Sequence, residues 1–365
     1  MFLLGIFIIA AYILISFFVG IRILKSLCKF RSPNIKVYWT VFSFIALSFV
    51  LGELTGRFIP SGFSKILSLI GYYYMAALLY MIILFPVASL LHRIFKNTNF
   101  DFYGISLLFI AILLIIGTYF GFSPYVKYYD ITTEKPLKNG QLKIALVSDV
   151  HLGEIIGNSR LKTMIDKINA VDADAVIIAG DLIDSNLEPV LQDDMLSQLK
   201  YLKSKYGTFF AFGNHDFYTG RSDEIAEILR ENGVHVLRDE AALINDEFYI
   251  IGEDDKAILK YGGNNKPLNC ITDTLNKDKL SILINHVPND IDESSTNGID
   301  LQVSGHTHRG QLFPCNLVTR SIFDIDYGLK KFDNTNVVVS SGYGTWGPPL
   351  RIGSRSEIVM IRLTN

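Results

Sequence analysis

The first third of the chain consists of four long apolar segments separated by short polar ones. At about 1.5 Å of rise per residue, each segment is long enough as a helix to cross a hydrocarbon layer of about 30 Å. Four such runs, with charged residues mainly between them, indicate membrane-spanning helices rather than the buried helices of a soluble domain. The predicted spans are 2–23, 37–54, 66–91 and 102–122.

The first apolar segment also has an alternative explanation as a cleaved signal peptide. Signal peptides begin with basic residues and end with small residues at the cleavage site. Here the basic residues follow the segment, and no small-residue site closes it. We therefore expect the segment to be retained as a helix.

The rest of the chain alternates short apolar runs with amphipathic stretches. The apolar runs have the length of buried strands, and the stretches between them carry apolar residues at helical spacing. This alternation predicts an α/β domain. The predicted strands are 143–148, 175–179, 208–212, 248–251, 280–284, 301–303, 337–340 and 358–362, and the predicted helices are 159–170, 193–205 and 222–232.

The chain thus divides into a membrane region at 1–124 and an α/β domain at 142–365. Between them, 125–141 holds Pro136 and Gly140 and is predicted to be a polar linker. The whole chain is 49% apolar and 19% charged. This charged fraction is low for a soluble protein, which agrees with the long apolar segments of the first region. Its net charge of -2 gives no general attraction to nucleic acid, so no nucleic-acid partner is expected.

The charges of the loops predict an orientation across the bilayer. Five basic residues lie at the end of the first segment and in the loop that follows it, and two lie between the third and fourth segments. The loop between the second and third segments offers only Arg57 and Lys65. The positive-inside rule then puts the first and third loops in the cytoplasm. We expect a multi-pass protein whose catalytic domain lies outside the cytoplasm, although three lysines after the fourth segment weaken this asymmetry.

The three cysteines carry little information about compartment. Cys28, Cys270 and Cys315 form no C-x-x-C pair and no zinc-knuckle spacing. Cys270 and Cys315 could pair in an oxidising compartment, but we expect unpaired thiols.

Five short polar motifs follow predicted strands, where ligands gather in α/β folds. Each motif alone is typical of a turn, but the ordered set offers ligands for two ions. Five of the seven histidines fall in the motifs, and imidazole with carboxylate suits Mn, Fe or Zn. The motifs are Asp149-x-His151, Gly180-Asp181-x-x-Asp184, Gly213-Asn214-His215-Asp216, Asn285-His286 and Gly305-His306-x-His308.

This ordered set resembles the signature of the calcineurin-like metallophosphoesterases: D-x-H, G-D-x-x-D, G-N-H-[DE], H and G-H-x-H. The resemblance covers the chain from Leu142 to its C-terminus. With the membrane region and the ending 341–351, the chain looks like the membrane-associated bacterial branch of the YkuE and YaeI type. The resemblance implies a fold of two packed β-sheets flanked by helices, with a dinuclear metal centre at one end.

The resemblance also implies a role for each residue. It gives three ligands to each of two divalent ions and one carboxylate to both. The ligands are Asp149, His151 and His308 for one ion, Asn214, His286 and His306 for the other, and Asp181 as the bridge. His215 would protonate the leaving oxygen and Asp184 would orient it. The implied reaction is hydrolysis of a phosphate ester or anhydride by a hydroxide that bridges the ions.

Two positions differ from the serine/threonine protein phosphatases of this family. In those enzymes, arginines directly after G-D-x-x-D and directly before G-N-H clamp a phosphate monoester. Ser185 and Phe212 occupy these positions here. Loss of both guanidinium groups favours phosphodiesters or pyrophosphates, which need less charge neutralisation. Arg309 is expected either to replace one phosphate contact or to pair with a surface carboxylate.

The membrane anchor makes lipid-linked phosphates attractive substrates, beside phosphate-containing small molecules. Five aromatic residues near the motifs would either face acyl chains or pack in the interior. These are Phe217, Tyr218, Phe313, Tyr343 and Trp346.

A membrane sensor or transporter subunit with a regulatory metallo-domain is the alternative function. Transport or proton relay usually needs several polar residues inside the helical bundle. The four segments contain few charged residues, so an anchor for an enzyme is the simpler interpretation.

Overall fold

The structure is a computed structural model that describes residues 2–56 and 62–365. It divides into two compact units, Met1–Tyr119 with Gly347–Leu350, and Phe120–Trp346 with Arg351–Asn365. Arg57, one of the two charges of the second loop, lies outside the described residues, and Lys65 lies in the first turn of a helix.

In the described part of the first unit, four helices are long and apolar enough to cross a membrane. The second and third approach closely at Gly71, where an added Cβ would lie 2.3 Å from the backbone nitrogen of Phe49. Small residues allow this kind of close packing between membrane helices. The helices are α1 Phe2–Leu27, α2 Ile35–Gly56, α3 Gly62–Ile94 and α4 Phe102–Phe122.

The second unit is built on two mixed β-sheets, each with six strands among the described residues. The first sheet contains β1 Tyr125–Thr132, β2 Gln141–Val147, β3 Ala175–Ala179, β4 Thr208–Ala211, β5 Val234–Val236 and, from the end of the chain, β12 Glu357–Thr364. The second contains β6 Glu240–Ile244, β7 Phe248–Gly252, β8 Leu280–Ile284, β9 Leu301–Ser304, β10 Gly328–Phe332 and β11 Thr335–Val339.

Parallel strands form the centre of both sheets. The strand orders are β1-β12-β2-β3-β4-β5 and β10-β11-β9-β8-β7-β6. Alternate residues of β2 face two different cores: Ile144 and Leu146 lie in the core that also holds residues of β8 and β9, and Ala145 and Val147 lie in the core with the helices. Burial on both faces explains why these strands are continuous apolar runs, and the predicted fold class is confirmed.

Helices flank the sheets and connect the strands. In the described part of the second unit they are α5 Asn158–Ala170, α6 Glu188–Gln192, α7 Asn214–Tyr218, α8 Ser222–Glu231, α9 Leu268–Thr272, α10 Ile291–Thr296 and α11 Cys315–Ile322. The long helix predicted at 193–205 is wrong, because only Leu196–Tyr201 is helical, as a 3-10 helix. Asp194 has a φ of 46°, which a right-handed helix cannot contain, so the helical pattern is interrupted there.

The segment predicted to be a linker, 125–141, begins with a strand. β1 pairs in parallel with β12 along its whole length, and Ile131 in β1 is buried. Its partner lies at the far end of the chain, so no local pattern reveals the pairing. Cys28, Cys270 and Cys315 are free, as expected.

Candidate metal centre

The five polar motifs follow the carboxyl ends of five strands. Asp149 and His151 follow β2, Asp181 follows β3, Asn214 follows β4, His286 follows β8, and His306 and His308 follow β9. Strand ends are held rigidly by the sheets, whereas the loops beyond them are free to carry ligands. The fold therefore brings residues that are far apart in sequence to one place.

One group of side chains combines a carboxylate with two imidazoles. Asp149, His151 and His308 are buried and offer ligand atoms within 4.8 Å of one another. His308 Nε2 lies 3.1 Å from His151 Nε2 and 3.4 Å from Asp149 Oδ1. A carboxylate and two imidazoles in this arrangement suit a divalent transition metal.

A second group lies beside the first, with the carboxylate of Asp181 next to both. Asp181, His286 and His306 also offer ligand atoms within 4.8 Å of one another. Asp181 Oδ2 lies 3.1 Å from His286 Nε2 and 3.9 Å from His151 Nε2, so it stands between the two groups. Asn214 Oδ1 lies 3.0 Å from His306 Nδ1 and adds a neutral oxygen.

The chemistry of His286 tests whether these residues fit a metal ion. His286 Nδ1 lies 2.8 Å from the carbonyl oxygen of Ala179, which assigns the ring proton to Nδ1. Nε2 then directs its lone pair toward Asp181, and this buried nitrogen forms no hydrogen bond. A backbone carbonyl behind a histidine is a common way to orient a metal ligand. The residues fit divalent cations.

The electrostatics of the Asp181–His286 pair point the same way. Burial opposes ionisation of Asp181, but His286, His151 and His215 together hold its pKa well below the usual range. Burial likewise opposes protonation of His286, but Asp181 and Asp149 raise its pKa well above the usual value. A position that attracts a proton this strongly also attracts a metal cation, which takes the place of that proton.

Arg351 supports the first group from behind, although it lies outside the five motifs. It is fully buried, and it donates hydrogen bonds to the carbonyl oxygens of His308, Gly342 and Gly344 at 3.3, 3.2 and 2.6 Å. Burial, then His151 and Arg351, hold the pKa of His308 well below the usual value. His308 is therefore a neutral imidazole, the form that binds metal.

Asp216 is a second supporting residue without an assigned role in the sequence. Its carboxylate is fully buried and accepts hydrogen bonds from the backbone nitrogens of Asp181, Ile183 and Gly213 at 2.8, 2.9 and 2.9 Å. It thereby joins the loop after β3 to the loop after β4. Burial and the neighbouring Asp181 raise the pKa of Asp216 to about 7. The membership of Asp216 in the third motif is the feature of the sequence that could have indicated this supporting role.

Glycines allow the loops to approach the carboxylates closely. A Cβ added at Gly213 would lie 2.2 Å from Asp181 Oδ1, and one added at Gly305 would lie 2.2 Å from Asp149 Oδ2. Neither distance is possible for real atoms. These two positions explain why glycine precedes Asn214 and His306 in the motifs.

His215 and Asp184 form a pair at the edge of the two groups. His215 Nδ1 lies 3.1 Å from Asp184 Oδ1 and 3.2 Å from Ser185 Oγ. Burial opposes protonation of His215, but Asp184 and Asp181 raise its pKa. His215 also lies near enough to His151 and Asp181 to be a ligand. Its pairing with Asp184 instead favours a protonated ring that can donate.

Ser185 and Phe212, at the two positions that hold arginine in the protein phosphatases, offer no positive charge to bind a phosphate. Phe212 is fully buried in the core, with the guanidinium of Arg238 5.1 Å from its ring centre. Arg309 lies over the ring of Tyr327 at 4.4 Å. Within the residues that the structure describes, no carboxylate forms an ion pair with Arg309.

The five aromatic residues near the motifs divide into two classes. Phe217 and Tyr343 are buried and pack in the core. Tyr218, Phe313 and Trp346 are exposed by 39%, 50% and 58%. The ring centres of Tyr218 and Trp346 lie 5.1 and 6.0 Å from that of His215, so these two flank the approach to it.

A cleft of about 560 Å³ opens beside Asn214 and His306. Its walls are polar and carry both charges, with Glu253 and Lys256 among them. A ligand group in this cleft would meet charged and polar side chains beside apolar ones.

Known proteins with similar sequences share this part of the chain. Residues 142–310 match the family described as calcineurin-like phosphoesterase. An uncharacterized metallophosphoesterase of Campylobacter jejuni is 37% identical over 242 residues, which are 66% of this chain and 63% of that protein. One of Aquifex aeolicus is 34% identical over 267 residues, 70% of this chain and 98% of that protein.

A third relative also covers the apolar helices. A transmembrane protein with metallophosphoesterase domain of Danio rerio is 29% identical over 388 residues, 98% of this chain and 88% of that protein. The similarity therefore extends through both units of the chain.

Proposed function

Because the chain belongs to the calcineurin-like phosphoesterase family, we propose that it hydrolyses phosphodiester or pyrophosphate bonds with two divalent metal ions, Mn, Fe or Zn. The observation that carries this proposal is the position of Asp181. Its Oδ2 atom lies between His286 and His151, at 3.1 and 3.9 Å, as a bridging carboxylate requires. The proposed ligands are Asp149, His151 and His308 on one side and Asn214, His286 and His306 on the other.

The chain's own residues divide the work of the reaction. Two bound divalent ions would supply an activated water molecule and offset the charge of the phosphoryl oxygens. Asn214 contributes oxygen without further negative charge, so the site keeps a positive excess for an anionic substrate. His215, held by Asp184, donates a proton to the departing oxygen, which otherwise leaves poorly.

The substrate class follows from what surrounds the ligands. Ser185 and the buried Phe212 provide no guanidinium for a phosphate monoester, which favours diesters and pyrophosphates. The exposed rings of Tyr218 and Trp346 beside His215 support a substrate with an apolar part. A lipid-linked phosphate meets both conditions and is concentrated at the membrane.

The four apolar helices support a proposed location of the protein in a membrane. Four helices that can each cross a membrane favour a multi-pass protein. The excess of basic residues in the first and third loops supports a catalytic domain outside the cytoplasm.

The proposal is tested with the full chain in detergent. Metal content is measured on active protein, and hydrolysis is compared for a chromogenic diester, a chromogenic monoester, and lipid-linked diesters and pyrophosphates in micelles. We expect two ions per chain and faster hydrolysis of diesters or pyrophosphates than of the monoester. Asp181→Asn should lose both metal and activity, whereas Asp223→Asn, at an exposed carboxylate, should lose neither. Fewer than two ions in active protein, or a preference for the monoester, would contradict the proposal.

A further inference from the structure

A small pocket beside the end of α4 contains an excess of positive charge. It has a volume of about 250 Å³, and all the residues that line it belong to the second unit. Arg309 and Arg355 line it together with Phe120, Tyr125 and Tyr327. None of the seven proposed metal ligands does, so this pocket is separate from the metal centre.

Arg309 presents a guanidinium group whose Nε atom forms no hydrogen bond within the described residues. Its central carbon lies 4.4 Å from the ring centre of Tyr327, and its Nε atom is buried without a hydrogen bond. In the described stretches of the chain, no carboxylate pairs with it. A buried charged donor without an acceptor is unfavourable unless a ligand supplies one.

Arg355 contributes the second positive charge. Its Nε and Nη2 atoms donate to the carbonyl and hydroxyl oxygens of Ser123 at 2.7 and 2.9 Å. Its guanidinium carbon lies 5.2 Å from the ring centre of Tyr125. These contacts fix the side chain in place and leave its Nη1 atom for a ligand.

The carboxylate that contacts the two tyrosines of the pocket is already hydrogen-bonded. Glu357 is fully buried and accepts hydrogen bonds from the hydroxyls of Tyr125 and Tyr327 at 3.0 and 3.1 Å, and from the backbone nitrogen of Ser341 at 2.8 Å. It therefore orders the two tyrosines instead of pairing with an arginine. Two guanidinium groups against one engaged carboxylate leave a net positive pocket.

The pocket lies where a membrane helix ends. Phe120 is in the last turn of α4, whose apolar span ends at Phe122. The carbonyl oxygen of Gly121 accepts hydrogen bonds from Arg160 and Ser356, which fixes this turn to the second unit. The phosphate groups of lipids lie at the end of the hydrocarbon layer, and basic pockets there bind acidic head groups.

We propose that this pocket binds the phosphate group of an anionic phospholipid. Arg309 and Arg355 donate charge-assisted hydrogen bonds to the phosphate oxygens, and the rings of Tyr125 and Tyr327 form the walls. A zwitterionic lipid binds less well, because the two guanidinium groups repel its ammonium group. This site holds a lipid that is not hydrolysed, and it does not depend on the proposed phosphoesterase activity.

The test measures lipid binding to the full chain in detergent by native mass spectrometry. Phosphatidylglycerol and phosphatidylcholine are the probes, with inorganic phosphate as a competitor. We expect one phosphatidylglycerol to bind in preference to phosphatidylcholine. Arg309→Gln and Arg355→Gln should each weaken this binding about tenfold, as expected for loss of a charge-assisted contact. Arg362→Gln is the matched control, since Arg362 is exposed and pairs with Asp130 outside the pocket.

Three results would overturn the proposal: equal binding of both lipids, no effect of Arg355→Gln, or displacement of the lipid by millimolar inorganic phosphate. Displacement by phosphate would show that the pocket binds free anions. Because Arg309 follows His308, the metal content of each variant is measured as well. If Arg309→Gln loses metal, Arg355→Gln carries the test. Lipid binding with no hydrolysis of any phosphate ester would support this pocket while contradicting the proposed function.

Discussion

At the scale of single residues, the pair of His215 and Asp184 separates proton donation from metal binding. The two side chains are 3.1 Å apart, and the carboxylate helps to raise the pKa of the imidazole. His215→Ala should therefore keep its metal while hydrolysis slows by about a hundredfold or more. The loss should be largest for poor leaving groups, because these need the proton most.

The measurement compares metal content and turnover for a series of diesters with different leaving groups. His235→Ala is the control. His235 lies in β5, outside the motifs, and stacks on Phe209 of β4. If His215→Ala lost metal, His215 would be a ligand together with His151 and Asp181.

Glu253 predicts how stability depends on pH. Burial, followed by Glu293, Asp239 and Asp290, raises the pKa of Glu253 from 4.5 to about 8. The folded state thus binds this proton more tightly than the unfolded state. The stability that Glu253 contributes is complete below about pH 4.5 and is lost as the pH rises through about 8.

Glu253→Gln removes this titration. The variant should melt near the wild-type temperature at pH 5 and above it at pH 9, where linkage limits the gain in unfolding free energy to about 5 kcal/mol. Thermal unfolding at both pH values measures this. Glu231→Gln, at an exposed carboxylate at the end of α8, should show no such dependence. Equal shifts for both variants would refute the assignment.

At the scale of elements, Asp216 holds the loops after β3 and β4 together. Removing its carboxylate leaves three buried backbone donors without acceptors, each at a cost of about 1 kcal/mol or more. Asp216→Ala should lower the melting temperature and weaken metal binding, because Asp181 and Asn214 lie on the two joined loops.

Thermal unfolding and metal titration test the role of Asp216. Asp223→Ala, in the neighbouring helix α8, is the control, because Asp223 is 91% exposed. A variant of Asp216 that melts lower but binds metal normally would show that this carboxylate serves stability alone.

At the scale of the whole molecule, metal binding and stability of the second unit are coupled. Asp149, Asp181 and His286 are buried together, and a cation that binds only the folded state stabilises it more as the free cation concentration rises above its Kd. Chelation should lower the melting temperature of the second unit, and Mn²⁺ or Zn²⁺ should restore it. The effect should be absent from Asp181→Asn. A melting temperature that chelator and metal leave unchanged would argue against metal binding at this site.

The free cysteines can test the proposed orientation. Cys28 follows α1 in the first loop and Cys270 lies in α9 of the second unit, and both are exposed. If the catalytic domain lies outside the cytoplasm, a membrane-impermeant maleimide should label Cys270 and spare Cys28 in intact cells. Cys270→Ser is the control for the site of labelling. Labelling of Cys28 alone would show the opposite orientation, with the second unit in the cytoplasm.

The sequence by itself determined the features that depend on local pattern and residue type. Continuous apolar runs identify membrane helices and buried strands, because burial requires apolar side chains whatever their partners are. The motifs identify residues that could hold metal ions, because they place carboxylates and imidazoles together after strand ends. The long helix at 193–205 was wrong, since the local spacing does not reveal the turn at Asp194, and the predicted linker 125–141 begins with the strand β1.

The tertiary structure alone decided which distant atoms meet. The pairing of β1 with β12, the three hydrogen bonds of Asp216 and the contacts of the buried Arg351 all join residues without a shared local pattern. The sequence alone also does not predict that Arg309 lies over Tyr327 or that it forms a pocket with Arg355. Hydrogen bonds and ion pairs depend on distances of a few ångströms, and only the packing of the whole chain sets those distances.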